Sequence, residues 1–243
     1  MTPPLFLVPD LGTGDTLVLT GGEAHHAATV TRLAVGEQVL LSDGQGGLAE
    51  ARARQVAPDR VVFEVLSRRS VERPEPWLVV VQALPKGERA ELAVELLTEL
   101  GADEIVPWAA ARSIGQWKGD RVAKGVAKWQ RTAQAAAKQS RRPRIPVVAE
   151  LAGTEQVAAR IAGAGAALLL DSDADQPLAG LALPRDGELV LVVGPEGGIA
   201  PAELELFCRR GGRPVRLGAE VLRTSTAGAA ALVALSVGLG RWA

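Results

Sequence analysis

Cysteine and histidine are almost absent from this chain of 243 residues. Its one cysteine, Cys208, excludes an intrachain disulfide, and such a sequence is typical of a protein of the reducing cytoplasm. The two histidines, His25 and His26, are adjacent, so their side chains point in different directions, and no cluster of other metal-ligating residues accompanies them. We therefore expect no metal site, and no histidine after His26 is available as a general base.

Long apolar runs and aromatic residues are also scarce. No stretch approaches the roughly 20 apolar residues that span a bilayer, and the first residues lack the basic segment and apolar core of a signal peptide. We therefore expect neither membrane association nor secretion. The chain has no Tyr and three Phe residues, which argues against an RNA-binding sheet that stacks bases on aromatic side chains.

Positive charge is confined to one segment. The net charge is −1, but ten Lys or Arg residues and one acid lie between Arg112 and Arg144, so this segment carries +9 and the remainder −10. The spacing predicts a helix over Lys118–Ser140 with an apolar stripe and a basic stripe. The basic stripe consists of Arg121, Lys124, Lys128, Arg131 and Lys138, and the apolar one of Val122, Val126, Trp129, Ala133 and Ala136. A solvated helix face explains the basic stripe, and so does contact with nucleic-acid phosphates, which we favour.

The chain is predicted to form two domains. Short Val- and Leu-containing runs at Thr16–Thr20, Gln38–Leu41 and Arg60–Leu66, separated by turn residues, predict a small N-terminal β-barrel over residues 1–72. The sequence Arg73-Pro74-Glu75-Pro76 breaks this pattern and marks the boundary. Residues 73–243 form the second predicted domain.

Apolar runs alternate with helical patterns in the second domain, which predicts an α/β fold with a parallel sheet covered on both faces. The predicted strands are Trp77–Leu84, Ala166–Leu170, Leu189–Val193 and Val215–Leu217. The predicted helices are Ala90–Leu100, one that begins near Pro201, and Thr224–Gly240. Ligands bind beyond the carboxyl ends of such strands, where three loops are expected: Asp171–Asp175, Gly194–Gly198 and Gly218–Arg223.

The glycine-rich loop is Gly194-Pro195-Glu196-Gly197-Gly198. It lacks the Gly-Lys-Ser/Thr of a phosphate-binding Walker loop and the spaced glycines of a dinucleotide fingerprint. Glu196 would repel a pyrophosphate, whereas it suits a ligand with a cationic centre, such as the sulfonium of S-adenosylmethionine. A plain tight turn between strand and helix is the alternative.

The second loop, Gly218-Ala219-Glu220-Val221-Leu222-Arg223, leads directly into the last helix. Thr224 or Ser225 is expected to cap that helix through its hydroxyl group. Alone, the loop indicates only such a cap. The two loops occur in successive strand–loop–helix units, and this pairing is more informative than either loop alone.

These two loops, strand-GPEGG-helix and strand-LGAEVLRTSTA-helix, resemble those of the SPOUT superfamily of knotted methyltransferases. The similarity is closest to the RsmE family, which methylates N3 of one uridine in 16S ribosomal RNA. Further similar motifs lie along nearly the whole chain: Glu23-Ala24-His25-His26 with Arg32-Leu33, Pro85-Lys86-Gly87-Glu88, Glu99–Pro107, and Gln139-Ser140-Arg141. Departures from the family pattern are Ser225 in place of a usual Glu, Lys138 in place of a common acid, and Thr31 in place of a usual Leu.

The resemblance implies a PUA-like barrel, a SPOUT domain with a C-terminal trefoil knot, a homodimer, and S-adenosylmethionine as cofactor. It implies that the cofactor is bound by Leu170, Gly194, Pro195, Glu196, Gly197, Gly198, Leu217, Gly218, Leu222, Arg223, Thr224 and Ser225. The implied partner is 16S ribosomal RNA in the small subunit. We expect RNA contacts from Arg32, Lys86, Arg112, Arg121, Lys124, Lys128, Arg131, Lys138, Arg141 and Arg142.

The chemistry expected of this chain is direct methyl transfer to a nitrogen or oxygen acceptor, and our hypothesis is transfer to uridine N3. Methylation of uridine C5 usually requires a cysteine nucleophile, whereas Cys208 lies inside a predicted helix and fits a packing role. We expect Arg223 to stabilise negative charge on the uracil, and Glu196 to shape the loop or lie near the sulfonium. Two alternatives stay open: a SPOUT enzyme for another RNA position, and a non-catalytic RNA-binding factor in ribosome assembly.

Overall fold

The computed structural model describes residues 3–87 and 89–242, which form two compact units. Glu88, part of a motif that carries the resemblance, lies outside the described residues. One unit runs to Arg73 and also contains Ala137–Ile145, and the other consists of Pro74–Ala136 and the chain from Pro146 onward. The sequence-based boundary between residues 72 and 73 does not anticipate that Ala137–Ile145 belongs to the first unit.

The first unit is a five-stranded sheet in the order β1-β3-β4-β5-β2, in which only the β1–β3 pair is parallel. Its strands are β1 (Leu5–Leu7), β2 (Thr16–Thr20), β3 (Gln38–Ser42), β4 (Gly47–Ala57) and β5 (Arg60–Ser70). A short helix, α1 (Gly21–His25), continues into a π-helical turn at His26–Val30. His26 packs edge-on against the ring of Phe6, with ring centroids 6.2 Å apart, which is a local structural role.

The segment Ala137–Ile145 is bound to the first unit by backbone and side-chain hydrogen bonds. The Ile145 N–H donates to the Gly44 carbonyl at 2.9 Å. The Arg144 guanidinium donates to the Val71 carbonyl at 2.7 Å, and the Lys138 ammonium forms an ion pair with Glu23 at 2.6 Å. Two basic side chains of the positively charged segment, Lys138 and Arg144, therefore have structural partners within this unit.

The second unit contains a parallel six-stranded sheet in the order β11-β9-β10-β6-β7-β8. Its strands are β6 (Trp77–Ala83), β7 (Glu104–Trp108), β8 (Val147–Val148), β9 (Ala166–Leu170), β10 (Glu188–Val193) and β11 (Gly212–Val215). The helices are α2 (Arg89–Glu99), α3 (Arg121–Gln139, in this unit up to Ala136), α4 (Thr154–Gly163), α5 (Pro201–Arg209) and α6 (Thr224–Gly238). This is the predicted parallel α/β architecture.

Helices cover both faces of the parallel sheet. On one face α6 packs against α2, β6 and β10. On the other face, Val157 and Ile161 of α4 and Phe207 of α5 join alternate strand residues in an apolar core that includes the fully buried Trp108. Successive strand residues point to opposite faces, so these strands are apolar throughout.

An ion triad lies at the amino ends of the strands, away from their carboxyl ends. The Arg160 guanidinium of α4 binds Glu104 at 2.8 Å and Glu188 at 3.0 Å. Burial by itself would lower the pKa of Arg160, but the hydrogen bonds and charges of the two carboxylates outweigh burial and raise it. The Arg160 guanidinium therefore keeps its charge, and its bonds to the two carboxylates join α4 to β7 and β10.

The last predicted strand differs from the one observed. The strand predicted over Val215–Leu217 is wrong in its bounds, since β11 ends at Val215. The backbone of Arg216 forms hydrogen bonds with Gln176 and Leu178 and not with β9, and Leu217 lies in the following loop. In the described part of the chain, no helix has the length and hydropathy needed to cross a membrane.

The trefoil knot of the second unit stays a prediction.

Candidate active site

A pocket of about 350 Å³ opens at the carboxyl ends of β9, β10 and β11, beside the first turn of α6. Residues of all three predicted loops line it, since Asp171 and Ser172 join the glycine loop and the loop before α6. The predicted cofactor residues that line it are Leu170, Gly194, Pro195, Glu196, Gly198, Leu217, Gly218, Leu222, Arg223 and Thr224. The carboxyl edge of the sheet thus assembles residues separated by more than 50 positions in the sequence.

Gly197 and Ser225 are predicted cofactor residues that do not line the pocket. Ser225 is buried in the first turn of α6. The prediction that Thr224 or Ser225 caps this helix is wrong: Arg223 is the N-cap, and its backbone carbonyl accepts the N–H groups of Thr226 and Ala227, both at 2.8 Å. Thr224 and Ser225 therefore lie one and two residues past the capping position.

The glycine loop is a tight turn that brings its backbone to the pocket wall. The Gly198 N–H donates to the Pro195 carbonyl at 2.9 Å, and Gly198 has φ +72°, a conformation that glycine adopts without strain. A Cβ atom at Gly194 would lie 2.9 Å from the side chain of Ile199. Both positions therefore require glycine for local geometric reasons.

Two residues predicted to contact RNA touch this loop. The Lys86 backbone N–H donates to a carboxylate oxygen of Glu196 at 3.2 Å. The Arg112 guanidinium donates to the Gly197 carbonyl at 2.9 Å. The loop is thus held by residues that follow β6 and β7. Glu196 was expected either to shape the loop or to lie near the sulfonium, and its contact with Lys86 supports the first role.

Charged groups of both signs line the pocket. Asp171, Glu196 and Glu220 supply carboxylates, and Arg216 and Arg223 supply guanidinium groups. Between them lie apolar side chains such as Leu170 and Val193 at the ends of β9 and β10. This combination fits a ligand with an apolar body, a cationic centre and an anionic group. Arg216 was not anticipated from the sequence.

Cys208 lies on α5 and is not among the pocket residues. Partial burial, followed by the negative charge of Asp171, raises the pKa of its thiol. A raised pKa keeps the sulfur protonated near neutral pH, and only the thiolate is a good nucleophile. Covalent attack by Cys208 on a substrate is therefore disfavoured.

The predicted RNA-binding residues have different environments. Arg121, Lys124 and Arg131 are exposed along α3, opposite the buried Trp129 and Ala133. Lys128 is also exposed but forms an ion pair with Glu91 of α2 at 2.9 Å. Trp117 packs against Trp129, with ring centroids 5.2 Å apart. The two-stripe pattern of the helix is present up to Ala136, and Lys138 departs from it through its ion pair with Glu23.

The remaining predicted RNA contacts, Arg32, Arg141 and Arg142, all lie in the first unit. Arg32 and Arg141 are exposed and have positive φ values of 54° and 56°. Arg142 is half-buried, and its N–H donates to the Ala137 carbonyl at 2.8 Å. The left-handed conformation is uncommon outside glycine, so both exposed arginines are at places where the chain turns sharply.

Family models match both parts of the chain. An RNA methyltransferase domain matches residues 72–236, and an RNA methyltransferase PUA domain matches residues 19–66. A ribosomal RNA small subunit methyltransferase E from Mycobacterium bovis is 46% identical, over 100% of this chain and 94% of its own. The chain belongs to the ribosomal RNA small subunit methyltransferase E family. The predicted membership is thereby confirmed.

More distant members of the family agree over most of their length. The enzyme of this name from Bacillus subtilis is 31% identical, over 91% of this chain and 90% of its own. A crystal structure of the family member from Neisseria gonorrhoeae, bound to S-adenosylmethionine, has a TM-score of 0.86 and 28% identity, covering 97% of this chain and 98% of that one. A methyltransferase from Legionella pneumophila, also with that cofactor, has a TM-score of 0.83 at the same identity, covering 98% of each chain.

Glu203 is a buried residue of the site region that the sequence analysis did not single out. It lies in the first turn of α5, directly after the glycine loop. Its signal in the sequence is an acid two residues after Pro201, a spacing typical of a side chain that bonds back to the start of its helix. That signal indicates a cap and says nothing of its tertiary partners.

Proposed function

We propose that this enzyme transfers a methyl group from S-adenosylmethionine to N3 of one uridine in 16S ribosomal RNA. The observation that carries the proposal is one pocket bounded by the glycine loop and by the loop that ends at Arg223. Family membership supports the reaction class, and the names of the relatives support small-subunit ribosomal RNA as the substrate. Such a substrate implies a cytoplasmic reaction.

The residues of the pocket fit the cofactor. Apolar side chains at the ends of β9 and β10 suit the adenine ring, and the carboxylates of Asp171, Glu196 and Glu220 suit a sulfonium and an ammonium group. Arg216 and Arg223 are available for its carboxylate or for the RNA. When bound, S-adenosylmethionine supplies an electrophilic methyl group, whose bond to sulfur breaks as the bond to N3 forms.

Arg223 has the role of favouring the uracil anion. N3 must lose its proton before or during attack, and the negative charge then spreads over the ring and its carbonyl oxygens. The Arg223 side chain is exposed at the pocket, and no ion pair holds it among the residues that the structure describes. A guanidinium placed at developing negative charge lowers the barrier by electrostatic stabilisation.

The glycine loop has the role of alignment. Its conformation is fixed by its own turn and by Lys86 and Arg112, so a bound ligand meets a wall that is already formed. Such preorganisation contributes to rate by holding the reacting atoms in line. Glu196 is proposed to support this geometry through its bond to Lys86.

RNA phosphates are proposed to contact three exposed basic side chains of α3, those of Arg121, Lys124 and Arg131. Lys128 is a weaker candidate because its ammonium is already paired with Glu91. Arg32, Arg141 and Arg142 of the first unit are the further candidates, and Arg32 lies within the residues that match a PUA domain. We also propose a homodimer formed through the second unit, with the C-terminal trefoil knot of the SPOUT fold; the exposed Val237 of α6 is an apolar group that such an interface would cover.

The test is methyl transfer from labelled S-adenosylmethionine to 16S ribosomal RNA, as naked RNA and in small subunits, followed by mass mapping of the product. We expect one methylated uridine, with the methyl group on N3. The Arg223→Ala variant should lose activity by about a hundredfold, the size typical of a group that stabilises transition-state charge. Arg210→Ala, at an exposed arginine outside the pocket, is the matched control.

The outcomes separate the alternatives. Methylation at another nucleotide or atom would favour a SPOUT enzyme of different specificity. Absence of both methyl transfer and cofactor binding would favour a non-catalytic RNA-binding factor. Full activity of Arg223→Ala would contradict the role of that residue and leave the reaction class in place. Sedimentation velocity of the same protein tests the dimer.

A further inference from the structure

Glu203 is a carboxylate only 5% exposed that joins three segments of the second unit. One oxygen accepts the N–H of Ala111 at 2.9 Å and the hydroxyl group of Thr154 at 2.7 Å. The other accepts the N–H of Ala200 at 3.3 Å. Its partners thus come from the chain after β7, the first residue of α4 and the residue before α5.

A local helix cap accounts for only one of these contacts. The bond to Ala200 is the return contact that an acid makes at the third position of a helix, and it is commonly a matter of stability alone. The bond to Ala111 is different because it fixes the residue adjacent to Arg112. Burying a carboxylate is costly unless donors satisfy it, so three donors hold this side chain in one position.

Arg112 carries this restraint to the pocket wall. Its guanidinium donates to the Gly197 carbonyl at 2.9 Å, and a Cβ atom at Gly197 would lie 3.6 Å from the Arg112 Cβ. The arginine therefore both packs against the glycine loop and bonds to it. Gly197 follows Glu196 and precedes Gly198, which both line the pocket.

We propose that Glu203 is a positioning residue that acts through Ala111 and Arg112 to set the conformation of the glycine loop, and thereby the affinity for the methyl donor. This inference rests on the proposed function. It assigns Arg112 to the support of the cofactor site, not to phosphate contact. Glu203 itself does not line the pocket, so its effect on the ligand is indirect.

Calorimetric titration of the full chain with S-adenosylmethionine tests the coupling through a double-mutant cycle. Glu203→Ala and Arg112→Ala should each weaken binding by about fivefold, as loss of a hydrogen bond to a charged group does. If Glu203 acts through Arg112, the double variant should again lose about fivefold, whereas independent sites would lose about twenty-five-fold. The kcat of each single variant should also fall, because the loop that Arg112 holds aligns the reacting atoms, and the double variant should again lose no more than either single one.

Matched controls come from the same helix. Glu205 and Arg209 form an exposed ion pair at 2.5 Å on α5, and neither lines the pocket. Glu205→Ala and Arg209→Ala should leave the dissociation constant unchanged. Glu203→Gln, which keeps one acceptor oxygen for Ala111, should restore affinity to within about twofold of the wild-type value. Glu203→Asp, whose carboxylate is one methylene shorter and keeps an acid at this helix position, replaces Glu203→Ala in the cycle if that variant does not fold.

The possible results are distinct. Additive losses of affinity in the double variant, or unchanged affinity in a folded Glu203→Ala variant, would overturn the proposed coupling. The proposed function would still stand in that case, provided that the wild-type protein binds S-adenosylmethionine. A wild-type protein that does not bind S-adenosylmethionine would overturn both. Non-additive losses together with recovery in Glu203→Gln would establish the positioning role, since a purely structural cap does not predict coupling to Arg112.

Discussion

The Arg241 guanidinium donates to the Asp103 carboxylate at 2.9 Å, across 138 positions of the sequence. Asp103 is almost fully buried and also accepts the Leu78 N–H at 3.0 Å, while Arg241 also donates to the Pro76 carbonyl. These contacts attach the chain beyond α6 to the amino ends of β6 and β7. The opposite end of α6 carries Thr224, which lines the pocket.

Removal of this ion pair should be costly. Arg241→Met would remove the guanidinium that donates to a buried carboxylate and is expected to lower the free energy of unfolding by about 3 kcal/mol. Urea denaturation measures the change. Arg209→Met, which breaks the exposed pair with Glu205, should cost less than about 0.5 kcal/mol. Equal losses in the two variants would show that Asp103 finds another compensating partner.

Cys208 should react slowly with alkylating reagents. The pKa of its thiol is raised by burial and by the charge of Asp171, so iodoacetamide should modify it more slowly at pH 8 than it modifies a free thiol. Asp171→Asn should increase the rate, whereas Asp175→Asn in the same loop should not. Cys208→Ala should keep methyl transfer to nitrogen. Loss of activity in that variant would indicate that Cys208 takes part in catalysis.

The same thiol makes a small contribution to the pH dependence of stability. Because its pKa is higher in the folded protein than in the unfolded chain, folding favours the protonated form. The stabilisation is fully present below the ordinary thiol pKa and is lost as the pH rises through the folded value. Unfolding of the wild type and of Cys208→Ala at pH 7 and pH 10 should show a wild-type stability that falls more steeply. Parallel curves would contradict the raised pKa.

Alanine at Gly194 should impair the pocket without unfolding the protein. The new Cβ atom would lie 2.9 Å from the Ile199 side chain and 3.2 Å from its nitrogen, so the loop must shift. We expect binding of S-adenosylmethionine to weaken about tenfold or more, a cost of at least 1.4 kcal/mol. Gly163→Ala at the end of α4, where the Cβ atom meets open space, is the control. Unchanged binding by Gly194→Ala would mean that the ligand does not touch this wall.

Lys124 and Lys138 should differ in their effects on RNA binding. Lys124 is exposed on α3, and its replacement by Ala should lower the slope of log affinity against log salt by about 0.7 to 0.9. Lys138→Ala should leave the slope nearly unchanged and destabilise the first unit, because its ammonium is paired with Glu23 at 2.6 Å. Filter binding at several salt concentrations distinguishes the two. Equal slopes for both variants would indicate that Lys138 contacts RNA phosphates as Lys124 does.

Local pattern predicted most of the second unit. The apolar runs at Ala166–Leu170 and Leu189–Val193 coincide with strands, because continuous burial on both faces demands apolar residues throughout. The glycine loop was found for a similarly local reason, since φ and close packing restrict Gly194 and Gly198. That residues of three loops line one pocket followed from the parallel topology.

Long-range partners could not be predicted in this way. Lys138 continues the basic stripe of α3 by spacing, yet its partner Glu23 lies 115 positions away. The spacing around Glu203 indicates a helix cap and contains no sign of Ala111 or Thr154. A sequence records which groups can donate or accept, whereas the pairing depends on how distant segments meet.

The position of Ala137–Ile145 has a consequence for the order in which the protein folds during translation. Strand β3 and its turn are synthesised early, but the Gly44 carbonyl obtains its Ile145 partner only about 100 residues later. By then β6, α2 and β7 have already left the ribosome. The first unit therefore obtains these hydrogen bonds only after the first strands of the second unit have been synthesised, and a chain truncated before residue 137 would lack the Glu23–Lys138 pair and the Arg144 contact to Val71.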